Sequence, residues 1–373
     1  MFRLNSVLGL VFSLACLGTT STARAQEVGD WVLVASPHGT LVRAGQTVGS
    51  IPWGTAIQIE SIDGDWLWVN PEHAGWISRS DVVPLSRAID SLSKELRREP
   101  ADAWDYVARG NAWYRKGEIQ IALEDFREAI RRDRLSYPAY RGLGAAQEAK
   151  GEYDEAIGSY TKALSFHSDD PLTYHLRGTA AASLGRYGKA LDDEDDAIRL
   201  DPSYAAAYDA RAAIQYVMGQ DDQAIANCTT ALRLDPRFAK AYYDRALAWE
   251  KKGQFGQAYD DLNRAVRANP NDRDGCEALA QLLATCPDQR YRNGEQALKY
   301  AKRACQLAGW NRADCLDTLS SAYAQAGNVE QARSWKEKAL ALAKDERAEK
   351  ETRAVQDADR AQRTVEDDYN KIR

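Results

Sequence analysis

Gly117, Gly151, Gly185, Gly219 and Gly253 form a series in which every step is 34 residues. Ala122, Ala156, Ala190, Ala224 and Ala258 keep the same step, as do Ala129, Ala163, Ala197, Ala231 and Ala265. A small residue recurs as Gly110, Gly144, Gly178, Ala212 and Ala246, with Tyr106, Tyr140, Tyr174, Tyr208 and Tyr242 four positions before each. Pro202, Pro236 and Pro270 end successive units. Self-similarity at this period specifies a stacked array, not one globular core. Each unit reads as two amphipathic helices joined at the Gly. The small residues let paired helices approach closely, and the aromatics wedge between neighbouring units. One unit cannot bury its own apolar face, so stability must come from stacking.

The pattern Tyr-x3-Gly-x6-Gly-x4-Ala-x6-Ala, with Pro five residues later in three units, resembles the tetratricopeptide repeat. Five in-register copies cover 103–272. Gly327, Ala332 and Ala339 place a last unit at 313–344, with Tyr323 in its aromatic slot. Between them, 273–312 reads as an irregular unit, because Ala297 and Ala304 arrive five residues late, after an insertion near Cys286 to Gly294. Upstream, Ala88 falls on a repeat-Ala position, and Ile89, Leu92 and Leu96 form an apolar stripe. This predicts a half-repeat capping helix within 86–102 that closes the stack and couples it to the preceding domain. Residues 345–373 are mostly charge and Ala and read as a frayed helix or disordered tail.

Residues 27–85 read differently. Short β-prone runs such as Trp31 to Ala35, Ala56 to Glu60, Trp66 to Asn70 and Gly75 to Ile77 alternate with turn residues. About five strands in so short a stretch predict a small barrel. Leu41 to Gly45, Val48-Gly49, Gly54, the strand from Trp66 to Val69, and Gly75-Trp76-Ile77 followed by Asp81-Val82-Val83 resemble bacterial SH3-like domains. The expected fold is therefore multidomain: a small all-β SH3-like barrel followed by an all-α tetratricopeptide solenoid. Among the barrel tryptophans, Trp76 and at least one of Trp66 and Trp68 are expected in the core, with Trp53 in its turn as a ligand contact.

The first 25 residues read as a secretory signal: Arg3, an apolar stretch from Val7 to Leu17, and an A-x-A site at Ala23-Arg24-Ala25 before Gln26. Its removal would take the net charge from −6 to −8, because Arg3 and Arg24 leave with no acid. The mature protein is expected to be exported, periplasmic or secreted, without a transmembrane span. With 55 acids against 49 bases, a broad nucleic-acid surface is excluded. In an exported chain, clustering of Cys276, Cys286, Cys305 and Cys315 in the irregular unit and the start of the next favours disulfides, with three full connectivities open. Their spacings contain no C-x-x-C, so zinc is the weaker alternative. Cys228 occupies a packing slot and reads as a buried thiol. The segment from Leu283 to Asp288, continued by Ala304 to Leu307, resembles a variant unit at the C-terminal end of some secreted bacterial repeat proteins.

No catalytic, cofactor or metal grouping stands out. His38, His73, His167 and His175 are scattered, and the chain has no H-E-x-x-H, nucleophile elbow, Walker loop or Rossmann pattern. The acidic run Asp192 to Asp196 lacks the Gly and spacing of a calcium loop and reads as a solvated helix face. The resemblance implies instead a concave groove, lined by first helices, that receives a protein or peptide partner. Groove positions two, five, nine and twelve give Trp104, Val107, Asn111 and Tyr114, then Arg141, Glu148, Leu172, His175, Asp209, Tyr216, Lys240, Tyr243 and Glu250. Trp104, Asn111, Tyr114, Arg141, His175, Tyr216, Lys240 and Tyr243 are the candidate contacts. Chaperone-binding relatives clamp a carboxylate with Lys and Asn at positions five and nine. Here Asn111 matches, but Val107 and Leu172 replace the bases, which disfavours such a clamp. The expected function is an exported, non-catalytic interaction scaffold. The alternative is a cell-wall-binding protein acting through the SH3-like domain, with the repeats as spacer.

Overall fold

The computed structural model describes residues 29–35, 38–43, 45–52, 55–69, 75–97, 102–345 and 347. The expected signal, Trp53, His73 and the tail after 347 lie outside the described residues. The chain divides into two compact units, one of 1–218 with 233–235 and the other of 219–232 with 236–373.

The first unit begins with seven short strands: β1 (Trp31–Val34), β2 (His38–Arg43), β3 (Gln46–Pro52), β4 (Ala56–Asp63), β5 (Trp66–Val69), β6 (Gly75–Ser78) and β7 (Val82–Pro84). They pair antiparallel in the order β3-β2-β6-β5-β4-β1-β7. Among the described residues this sheet ends at β3 and β7 and is not a closed barrel. Its core is aliphatic: Val32, Val34, Leu41, Ile57, Ile59, Leu67, Val69 and Ile77 are fully buried. The expectation of tryptophans in that core is corrected. Alternation along β5 and β6 turns Leu67, Val69 and Ile77 inward and leaves the tryptophans on the opposite face. Trp66 is exposed, while Trp68 and Trp76 are half-buried and meet edge to face at 5.3 Å as cross-strand partners.

The same alternation gives β1 a second role. Leu33, on the reverse face from Val32 and Val34, joins Ala56 in a cluster with Ala88, Ile89 and Leu92 of α1 (Leu85–Glu95). Ala108 and Ala112 of α2 (Ala103–Arg115) complete it, so α1 packs between the sheet and the first repeat. After α2 come α3 (Ile119–Arg132), α4 (Tyr137–Ala149), α5 (Tyr153–Phe166), α6 (Pro171–Ser183), α7 (Tyr187–Leu200) and α8 (Ala205–Val217). Next are α9 (Asp221–Leu234), α10 (Ala239–Lys251), α11 (Phe255–Ala268), α12 (Arg273–Thr285), α13 (Gly294–Leu307) and α14 (Ala313–Gln325). A last helix, α15, runs through 329–345.

The glycine series is a backbone requirement. Gly117, Gly151, Gly185, Gly219 and Gly253 have φ between 70° and 86°, the left-handed turn that closes a helix and suits glycine. The small-residue series has a different cause. Sixteen positions after each small residue stand Phe126, Tyr160, Glu194, Cys228 and Leu262, all at most 1% exposed. A Cβ on Gly110 would meet Phe126 Cε1 at 2.8 Å, and one on Gly144 would meet Tyr160 Cε1 at 2.6 Å.

Glu194 thus occupies a core slot, which corrects the reading of Asp192 to Asp196 as a solvated face. Asp193 is buried against Arg177, and Glu194 is wholly buried against His175. In the irregular unit the insertion folds as a 3-10 turn (Gln289–Tyr291), tied back by Asn293 N–H to Leu283 O at 2.9 Å.

Candidate partner-binding cleft

A cleft of about 450 Å³ opens in the first unit, along the first helices of three successive repeats. Trp104, Val107, Asn111 and Tyr114 form one stripe of α2, as their spacing of three and four residues dictates. Trp104 stands in the first turn, where a capping box fixes the helix start: Asp102 N–H donates to Asp105 Oδ2 at 3.2 Å. Pro138, Arg141 and Ala145 of α4 and Leu172 and Leu176 of α6 continue the lining. Ile51, Thr55, Ala56 and Ile57 of the sheet side close one end.

The polar groups along this lining are largely engaged with one another. Arg141 Nη1 donates to Asp170 Oδ2 at 2.8 Å, and Thr173 Oγ1 donates to the same oxygen at 2.6 Å. The Arg115 guanidinium lies 4.4 Å from the Trp31 ring centroid and 5.5 Å from that of Tyr114. Tyr137 stacks on His167 at 4.3 Å, and His167 Nδ1 lies 3.2 Å from Asp169 Oδ1. Tyr160 O–H donates to Glu148 Oε2 at 2.9 Å, and burial pushes the Glu148 carboxyl above its ordinary range. His175 Nδ1 lies 2.9 Å from Glu194 Oε2, and its ring meets Tyr204 edge to face at 5.3 Å. Burial pushes Glu194 up, while the His175 hydrogen bond pulls it back.

Of the candidate contacts, Trp104, Asn111, Tyr114 and Arg141 come together on this lining. His175, one turn from Leu172, points instead at Glu194 and Tyr204. Tyr216 is half-buried on α8 of the first unit. Lys240 and Tyr243 belong to the second unit, where Lys240 pairs with Asp244 at 2.6 Å. Tyr243 packs against the second unit's core, and burial pushes its hydroxyl up to about 12. Sequence reasoning passed over Tyr137, His167, Asp169, Asp170, Asp201 and Tyr204, which also line the cleft. They stand just before or at the start of each first helix, so extending the repeat register backwards by a few positions would have found them.

The four clustered cysteines are buried, free thiols in this structure. Each is held by packing or a hydrogen bond. Cys276 Sγ lies 3.8 Å from Pro270 O, Cys305 S–H donates to Cys315 O at 3.3 Å, and Cys286 sits in the core beneath the insertion. Cys315 S–H donates to Glu277 Oε2 at 3.2 Å, and burial pushes both Cys305 and Cys315 up to about 12. Glu277, Asp314 and Cys315 bring three donor atoms within 4.8 Å of one another. Arg273, 3.1 Å from Glu277, and Arg312, paired with Asp314, supply the positive charge there. The protonated thiol and two guanidiniums make a self-neutralised cluster.

These features define a helical-repeat scaffold whose first helices line a cleft. The tetratricopeptide-repeat family pattern matches residues 107–171 and 210–273 of this array. Among solved structures, the APC/C hetero-tetramer Cut9-Hcn1 is similar at 20% identity and a TM-score of 0.57, over 64% of this chain and 46% of that one. The chain therefore spans less than half the length of that relative, and the likeness is one of fold. YrrB, described as a TPR protein with an unusual peptide-binding site, is similar at 23% identity and a TM-score of 0.40, over 51% of this chain and 98% of its own. PilW, described as a widely conserved type IV pilus biogenesis factor, is similar at 20% identity and a TM-score of 0.48, over 55% and 92%. No curated protein matches the chain. Among the described residues no helix is long and apolar enough to cross a membrane.

Proposed function

We propose that the protein is a non-catalytic interaction scaffold that binds a segment of a partner protein in the cleft of its first unit, and that it works after export. The observation that carries the binding reading is the convergence of Trp104, Asn111, Tyr114 and Arg141 on one cleft, with Trp104 45% exposed. An exposed tryptophan beside a lined cleft is the residue type that anchors interfaces. Export rests on Arg3, the apolar stretch from Val7 to Leu17 and the Ala23-Arg24-Ala25 site. A photo-crosslinking side chain at position 104, used in the native cell, is expected to trap one partner. Trp104→Ala with Tyr114→Ala is expected to lose that partner without loss of helicity. Retention of the partner by the folded double variant would refute the cleft as its site. Intact mass of the exported protein is expected to show Gln26 first.

A second reading, cell-wall binding through the sheet, is favoured by Trp66, Trp68 and Trp76 on the sheet's outer face. Co-sedimentation of the protein with purified murein, abolished by Trp66→Ala, would support that reading over the cleft.

A further inference from the structure

We infer that the cleft takes an extended, basic segment: an Arg or Lys side chain flanked by apolar residues, with its cation received by Asp169 and Asp201. This rests on the reading of the cleft as a partner-binding site and adds the chemistry of what it binds. The lining carries three carboxylates, Asp169, Asp170 and Asp201, and two guanidiniums, Arg115 and Arg141. Arg141 and Asp170 neutralise each other at 2.8 Å, with Thr173 holding the carboxylate in place. Arg115 lies over the rings of Trp31 and Tyr114, at 4.4 and 5.5 Å from their centroids. The remaining lining carboxylates are Asp169, with His167 Nδ1 3.2 Å away, and Asp201. Asp169 is well exposed, with 73% of its side chain open to solvent beside His167. Asp201 lines the cleft, and its Oδ1 accepts from Ser203 Oγ at 2.6 Å and Ser203 N–H at 2.9 Å.

The walls suit the same ligand. The exposed Trp104 ring suits a guanidinium or an aliphatic stem equally well. Trp104, Leu172 and Leu176 offer apolar surface to the flanking residues, and Thr55 at the far end makes the sheet part of the site and not a spacer from it. An acidic segment would meet unbalanced carboxylates, and like charges at an interface are strongly disfavoured.

The test uses the full chain and three pools of terminally blocked, fluorescein-labelled nonapeptides, identical except for a central Arg, citrulline or Glu, read by fluorescence anisotropy. The Arg pool is expected to bind about tenfold tighter than the citrulline pool, which has the same shape without the charge, and the Glu pool weakest. Asp169→Asn with Asp201→Asn should remove most of the Arg preference while leaving citrulline binding unchanged. Thr55→Arg, which narrows the sheet end, should weaken all three pools. If binding is sensitive to Trp104→Ala but shows no Arg preference, or prefers Glu, the basic-segment proposal is overturned and the cleft reading stands. If no pool binds in a manner sensitive to Trp104→Ala, the cleft reading falls and this proposal with it.

Discussion

Glu194 holds a place that Phe126, Tyr160, Cys228 and Leu262 hold in the other regular repeats, and it is the one carboxylate among them. Its imidazole partner comes from the preceding helix, so the slot is filled by a pair instead of by an apolar group. Removing one member leaves the other buried without its counter-group. His175→Leu should therefore cost about 3 kcal/mol, whereas His175→Leu with Glu194→Leu should recover much of that loss. Urea denaturation of the three variants checks this, and additive losses would show that the pair is uncoupled. Glycines give a second contrast at this scale. A Cβ at Gly142 would run into the Phe126 ring, closer still than at Gly110, while one at Gly158, inside α5, would meet nothing within 4 Å. Gly142→Ala is expected to destabilise, and Gly158→Ala to stabilise by about 0.5–1 kcal/mol. A higher melting point for Gly142→Ala, or a lower one for Gly158→Ala, would contradict the corresponding expectation. The thiols of Cys305 and Cys315, pushed up to about 12, should resist iodoacetamide at neutral pH until the chain unfolds.

Between elements, the helices are tied by an arginine–aspartate fork that recurs every second repeat. Arg109 forks onto Asp125 at 2.8 and 2.6 Å, Arg177 onto Asp193 at 3.0 and 2.6 Å, and Arg245 onto Asp261 at 2.7 and 2.8 Å. A further nitrogen of each reaches back to Ser93, Thr161 or Thr229, so one side chain joins the second helix of its own repeat to the element preceding it. The repeat tyrosines stand beside these arginines, Tyr106, Tyr174 and Tyr242 at 5.5–5.8 Å, so the aromatic wedge and the ion pair form one device. Arg177→Lys keeps the charge but loses the fork, and should cost about 1 kcal/mol; Arg177→Ala leaves Asp193 buried and unpaired and should cost about 2 kcal/mol. Equal stability of the two variants would mean that charge alone matters at this site.

At the scale of the molecule, an array of repeats has ends, and an uncovered end exposes the apolar face that the next repeat would have buried. In the first unit that end is covered by α1 and the sheet through Leu33, Ala56, Ile89 and Leu92. The sheet is thereby a structural cap and a wall of the cleft. Leu92 is completely buried, so Leu92→Ala should cost about 3 kcal/mol. Tryptophan fluorescence and helical circular dichroism should move together in the melt of that variant, and a sheet signal that melts at the wild-type temperature would show the cap to fold on its own.

The 34-residue period was sufficient, by itself, to determine helix pairs, their turns and the stripe of Trp104, Val107, Asn111 and Tyr114, because those features depend on local backbone geometry and on a register that repeats. Runs of β-prone residues likewise marked out a short-stranded domain. Which face of the sheet is core was not determined so, since alternation alone makes Trp66 and Trp68 equivalent and leaves either face inward. Nor could the run from Asp192 to Asp196 reveal a buried Glu194, because an isolated helix presents acids to water unless a neighbouring helix supplies their partners. The cleft's end wall and the meeting of Tyr137, Asp169 and Asp201 on one lining were likewise decided only in three dimensions, where segments far apart in the chain come together.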